Sequence, residues 1–138
     1  MSRPPSVLFV VAISLTLPIV PLLAHHSFAA EYDSTKPIDI SGVVTKVEWT
    51  NPHVYFYIDT KGADGKTTNV AVENGSPNVL RRMRWGKNSI RIGDALRVSG
   101  YRAKKAANTV NAVTVRFPDG TSLFAGSSSD AELPPKAK

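Results

Sequence analysis

The sequence predicts a mainly β domain: a small five- to six-stranded oligonucleotide/oligosaccharide-binding (OB)-like barrel with one short helix between strands 3 and 4. Most segments from residue 38 to residue 125 alternate apolar and polar residues, which is typical of strands with one buried face. One segment, 76–86, has instead the end signals of a helix. The order of three strands, a helix and two strands is that of an OB barrel.

The first predicted strand is long and changes phase near its middle. Ile38 and Ile40 share one face before Gly42. After it, the residues expected on one face are Val43, Val47 and Trp49. A glycine at a phase change predicts a β-bulge, which lets a strand bend sharply.

A hairpin is expected to join the second and third strands. The second strand buries alternate residues, namely Val54, Phe56 and Ile58. The loop 61–66 contains Asp64-Gly65, a strong turn signal. Val70 and Val72 then mark the third strand.

The predicted helix has recognisable ends. Ser76 fits the N-cap, Pro77 the first helical position and Gly86 the terminator. The residues spaced to bury one face are Val79, Leu80 and Met83. Those facing elsewhere are Arg81, Arg82 and Arg84.

Two more strands and a short terminal segment complete the domain. The fourth strand carries Leu96, Val98 and Gly100, and the fifth Val113, Val115 and Phe117. A turn at 118–120 precedes Leu123 and Phe124. Residues 126–138 are mostly Ser, Pro, Lys and Ala, which predicts a disordered tail.

Residues 1–24 read as a signal peptide, followed by an arm, 25–37, and the OB-like domain, 38–125. The apolar run 7–23 is short for a membrane span and is interrupted by prolines. Cleavage after Ala24 would leave 114 residues with a formal charge of +5, since one of the 17 basic residues, Arg3, is removed. Cleavage after Ala29 is the main alternative. We therefore expect a periplasmic or secreted protein with no stable membrane span, and export argues against nucleic acid as a partner.

The chain has no cysteine and three histidines, and the placement of the histidines is unusual. Cleavage after Ala24 would make His25 the first residue, followed by His26, while His53 opens the second strand. A free amine and the imidazoles of His25 and His53 form a nitrogen ligand set that suits Cu(II). His26 is a further possible ligand.

Two carboxylates, Glu31 and Asp33, are close enough in sequence to orient an imidazole from outside the ligand set. The hypothesis is therefore a copper-binding or copper-handling protein with a site like a histidine brace. No acid–base pair or second metal site is evident, so an enzyme is the less favoured interpretation.

Several segments resemble an uncharacterised family of small exported bacterial proteins, domain of unknown function 6152. The motifs are His25-His26-Ser27-Phe28-Ala29-Ala30-Glu31-Tyr32-Asp33, Gly42-Val43-Val44, Glu48-Trp49-Thr50-Asn51-Pro52-His53, Gly93-Asp94, Val98-Ser99-Gly100-Tyr101-Arg102-Ala103, Pro118-Asp119-Gly120 and Leu123-Phe124. The resemblance implies an envelope location and an OB-like domain, but no particular activity.

A metal-free binding module is the alternative. OB barrels bind ligands across strands 2 and 3 and the adjoining loops. An anionic glycan, a lipid head group or an envelope protein partner would then meet an aromatic and basic surface. Its expected residues are Tyr55, Tyr57, Lys61, Lys66, Arg81, Arg82 and Arg84. The simplest interpretation of the arginines is a solvated helix face.

Overall fold

The computed structural model describes residues 28–126 as six strands and two short helices. The elements are α1 (Phe28–Glu31), β1 (Tyr32–Glu48), β2 (Tyr55–Lys61), β3 (Thr67–Glu73), α2 (Pro77–Arg82), β4 (Ala95–Ala103), β5 (Thr109–Arg116) and β6 (Ser122–Phe124). The predicted signal peptide, His25, His26 and the predicted tail beyond Gly126 lie outside the described residues. Within residues 28–126, no helix is long and apolar enough to cross a bilayer.

Five of the strands form a closed ring. The sheet order is β3-β2-β1-β4-β5-β6. Strand β3, at one end of this order, also pairs in parallel with β5, which closes the ring. The other pairings are antiparallel, and β6 pairs with β5 outside the ring. The predicted mainly β fold, with one helix between the third and fourth strands, is confirmed.

Strand β1 is longer than expected and pairs with both β2 and β4. It begins at Tyr32 rather than at Ile38, so half of the predicted arm is already strand. Its break in register against β2 lies between Val44 and Lys46, later than Gly42. The bulge was therefore predicted correctly in kind but not in place.

The predicted inward face of β1 was wrong at one position. Val44 is buried, whereas 47% of the surface of Val43 is exposed to solvent. Gly42 has a different role from the one expected, because a Cβ there would lie 2.5 Å from the Asp59 carbonyl oxygen. The glycine thus permits close approach of β1 to β2.

The core fills the ring and is covered at one end by α2 and the segment after it. Leu80 is fully buried, and the Trp85 indole Nε1 donates a hydrogen bond to the Phe124 carbonyl oxygen at 2.9 Å. The remaining buried apolar residues come from all five ring strands, among them Val44, Phe56, Ile58, Val72, Val98, Val110, Ala112 and Val115. In β5 a register shift skips Val113, so the predicted alternation there is interrupted.

Helix α2 begins as predicted and ends earlier. The Ser76 hydroxyl accepts a hydrogen bond from the Val79 backbone N–H, and Pro77 occupies the first turn. The helix stops at Arg82, before Gly86, because Arg84 adopts a left-handed conformation with φ of 69°. The three arginines of this segment are exposed, as expected.

Removing the helix cap should have a modest effect on stability. We expect Ser76→Ala to lower the free energy of unfolding by about 1 kcal/mol, because the Val79 N–H loses its acceptor. Urea denaturation of the purified protein measures this change in the free energy of unfolding. Asn78→Ala, at an exposed position of the same helix, is the control and should change the value by less than about 0.5 kcal/mol. Equal effects of the two substitutions would show that the cap does not stabilise the helix.

Candidate metal centre

Glu73 is a charged residue buried on the outer face of the ring. Val70 and Val72 point into the core, so the alternation of β3 places Glu73 on the opposite face. Its exposure is nevertheless only 2%. A carboxylate removed from water in this way requires hydrogen-bond donors around it.

Three side chains supply those donors. The hydroxyls of Tyr32 and Tyr55 both donate to Glu73 Oε2, the second at 2.5 Å. His53 Nδ1 lies 2.8 Å from the other oxygen, Oε1. We call these four residues the Glu73 cluster.

Both tyrosine hydroxyls of the cluster remain protonated donors. Burial raises the pKa of Tyr32 far above its usual value, and the hydrogen bond to Glu73 adds to the increase. The pKa of Tyr55 is raised for the same two reasons, in the same order. Ionising either hydroxyl would place a second negative charge beside Glu73.

His53 presents its ring at the edge of this cluster. It lies in the loop between β1 and β2, directly after the cis peptide bond Asn51–Pro52, and its side chain is 32% exposed. When Nδ1 donates to Glu73, the lone pair is on Nε2, the ring nitrogen that can bind a metal. A carboxylate that fixes the tautomer and orientation of a histidine is a common companion of metal-binding imidazoles.

Glu73 was missed in the sequence, although its position could have been found from the hairpin. The pairing of Lys61 with Thr67 across the loop fixes the register that places Tyr55 opposite Glu73. His53 is two residues before Tyr55, on the same face by alternation. The burial of this polar face was not predictable, because it depends on where the N-terminal arm lies.

The start of the described chain packs beside the cluster. The Phe28 ring stacks on Tyr32 and meets Tyr101 edge-on, with both centroid distances 5.5 Å. The Lys104 ammonium donates to the Ala29 carbonyl oxygen at 2.5 Å, and its backbone N–H donates to the Glu31 carbonyl oxygen at 2.8 Å. A continuous set of contacts thus connects α1 with Glu73 through Tyr32.

A pocket of about 440 Å³ lies beside the Glu73 cluster. Its walls are formed by α1, by the ends of β2 and β3, and by the loop between β4 and β5. The lining residues are Ala30, Glu31, Tyr32, Tyr55, Glu73, Ala103, Lys105, Ala106 and Thr109. This is the side on which OB folds bind ligands.

The two predicted orienting carboxylates lie in different places. Glu31 lines the pocket, whereas Asp33 accepts hydrogen bonds from Thr35 and pairs with Lys36 at 3.4 Å. The hydrogen bonds from Thr35 are the main reason that the pKa of Asp33 is lowered. Among residues 28–126, no group of three or more His, Cys, Asp or Glu residues is arranged to hold a metal ion.

The residues predicted for a metal-free ligand surface do not form one continuous group. Tyr55 turns its hydroxyl to Glu73, whereas the Tyr57 hydroxyl donates to Glu48 Oε2 at 2.8 Å. The Lys46 ammonium lies 5.1 Å from the centre of the Tyr57 ring. The predicted basic residues are exposed on α2 and its C-terminal segment (Arg81, Arg82 and Arg84) and at the β2–β3 hairpin (Lys61 and Lys66).

The family of unknown function DUF6152 matches residues 14–112. The chain therefore belongs to that family, as its motifs indicated. None of the curated proteins compared with the chain matches it.

One solved structure similar to this chain is the ZRD-deleted mutant of TiaS in complex with agmatine. It is 22% identical, with a TM-score of 0.42, over 75% of this chain and 25% of that one. The present chain thus spans about a quarter of that protein's length.

Proposed function

We propose that this chain is an exported copper-binding protein in which the processed N-terminus and His53 hold one Cu(II) ion. The ligands are the α-amine and imidazole of His25 and Nε2 of His53, with His26 as a further candidate. Glu73 positions His53 through Nδ1. The protein handles copper rather than catalysing a reaction.

The observation that carries the proposal is the hydrogen bond between His53 and buried Glu73. Its 2.8 Å length and the 32% exposure of the imidazole leave an oriented ring that an ion can reach. The hydroxyls of Tyr32 and Tyr55 hold the same carboxylate from the other side. His53 is thereby pre-organised, which reduces the ordering cost of binding.

The packing of α1 supports the second half of the site. Phe28 packs against Tyr32, which reaches Glu73. His25 is three residues before Phe28, and three extended residues span about 10 Å. In the proposed site, this short segment places the terminal amine within about 10 Å of Phe28, on the side of the Glu73 cluster.

The donor set favours copper over other divalent ions. Imidazole and amine nitrogens suit Cu(II) in tetragonal geometry, and copper has the highest affinity in the first-row divalent series. Calcium and magnesium prefer oxygen ligands, which this set does not supply.

Sequencing the exported protein and titrating it with copper test the proposal together. When the chain is expressed with its own leader, N-terminal sequencing of the exported protein should give His25 as the first residue. Calorimetry should then show that this protein binds one equivalent of Cu(II). A first residue of Ala30, or the absence of stoichiometric binding by a chain that begins at His25, would contradict it.

A metal-free binding module is the second candidate, and the pocket beside Tyr55 and Lys105 favours it. Such a module would bind an anionic oligosaccharide equally well with and without copper. His53→Ala would then leave binding unchanged, while Lys105→Ala, in the lining of the pocket, would weaken it. Affinity measurements with a sulfated oligosaccharide distinguish this candidate from the copper site.

A further inference from the structure

A second pocket lies away from the Glu73 cluster, where β1, β2, β4 and β5 face a common groove of about 680 Å³. This volume is in the range of small-molecule binding sites. The lining residues are Ser41, Gly42, Val43, Asp59, Lys61, Ala95, Leu96, Arg97, Arg116, Phe117 and Pro118. The copper proposal uses none of them.

The charge of the groove is predominantly positive. Arg97 and Arg116 are direct cross-strand partners on β4 and β5, an arrangement that costs energy when two like charges face each other. Lys61 adds a third cation. Asp59 is the acidic residue of the lining, and its Oδ1 accepts a hydrogen bond from the Asn69 side chain at 2.7 Å.

The two arginines differ in how their charge is balanced. Arg97 Nε donates to Asp39 Oδ1 at 2.6 Å, and this contact is the main cause of the lowered pKa of Asp39. Arg116 Nε donates to the neutral hydroxyl of Ser122 at 3.3 Å, and its charge makes only a minor contribution to the lowered pKa of Asp39. Of the two arginines, Arg116 is therefore the one whose charge is less neutralised and the one proposed to receive an added anion.

The floor of the groove is apolar. Val43 keeps 47% of its surface, although it is a large hydrophobic residue, and it lines the groove with Phe117 and Pro118. An apolar surface beside several cations matches a ligand with an anionic head and an apolar chain. The cations and the apolar lining thus favour the same class of molecule.

We infer that this groove binds a single anionic amphiphile, such as a fatty acid, with its carboxylate at Arg116 and its chain along Val43 and Phe117. The proposal is independent of copper. Headgroup and chain both contribute, so neither acetate nor an uncharged alcohol of the same length is expected to bind well.

Calorimetry with sodium decanoate, below its micellar concentration, tests the inference. Decanoate should bind one to one, at least tenfold more tightly than decanol, and each CH₂ removed from the chain should weaken binding by up to about fourfold. Arg116→Gln should weaken binding at least tenfold. Arg102→Gln, an exposed arginine of β4 outside the groove, is the matched control and should leave binding unchanged.

A second substitution keeps the test independent of Arg116. Val43→Asp places a charge on the apolar floor at an already exposed position, and it should abolish decanoate binding while circular dichroism remains unchanged. Equal affinities for decanoate and decanol, or wild-type binding by Arg116→Gln, would overturn the inference. Binding to phosphatidylglycerol vesicles without binding to free decanoate would overturn it in favour of a membrane surface.

Discussion

A processed protein with four extra glycines before His25 is expected to lose more than about 100-fold in affinity for Cu(II). The added residues move the free α-amine away from the His25 imidazole and break the chelate. They also leave neither His25 nor His26 at the third position, where a histidine would form a new copper chelate with the terminal amine. Loss of a direct ligand should exceed the 10- to 100-fold effect of losing an outer partner of a ligand. Competition with a chelator of known copper affinity measures the change.

His53→Ala should produce a loss of similar size, because it removes the other half of the site. The matched control is four glycines added after Lys138, which leave the first residue unchanged and should have no effect. If the protein with the leading glycines bound copper as tightly as the processed protein, the terminal amine would not be a ligand.

The second large effect is expected at Glu73. Replacing it with Ala should lower the free energy of unfolding by about 3 kcal/mol, because buried donors of Tyr32 and Tyr55 lose their acceptor. Glu73→Gln keeps one acceptor oxygen and should destabilise less, by about 1–2 kcal/mol. Urea denaturation of the metal-free protein measures both.

The same Gln variant should bind Cu(II) about 10- to 100-fold more weakly, since His53 loses the carboxylate that orients it. Glu48→Gln is the matched control. Glu48 also accepts a tyrosine hydroxyl, that of Tyr57, and pairs with Lys46, but it is more exposed. We expect it to change stability by less than about 1 kcal/mol and copper affinity not at all. If Glu73→Gln and the wild type bound copper with equal affinity, Glu73 would have no role in metal binding.

The strand order and the helix position were predictable because each depends on local patterns. The alternation of Val54, Phe56 and Ile58 is a direct consequence of one buried face. The Ser76-Pro77 start of α2 depends on hydrogen bonding and backbone geometry within one turn. Such features need no knowledge of the rest of the chain.

The irregular positions were not predictable. The choice between Val43 and Val44 as the buried residue depends on a bulge located after Gly42, which the pairing with β2 determines. The early end of α2 depends on the left-handed conformation of Arg84, for which the sequence carries no glycine signal. Both are set by tertiary packing rather than by local preference.

The candidate site was half predictable. The chemistry of His53 indicated a possible ligand, but its partner was expected at Glu31 or Asp33, near in sequence. The structure places Glu73, 20 residues away, against its Nδ1 atom. Tyr32, at the start of β1, reaches Glu73 on the outer face, and no periodicity of the sequence encodes that contact.

Electron paramagnetic resonance of the processed protein loaded with one equivalent of Cu(II) tests the central claim most directly. Selective ¹⁵N labelling of histidine should change the nitrogen couplings of the copper signal, and His53→Ala should remove one imidazole coupling while that of His25 remains. Identical spectra for wild type and His53→Ala would show that the terminal histidines bind the ion without the His53 imidazole, and would contradict the proposed site.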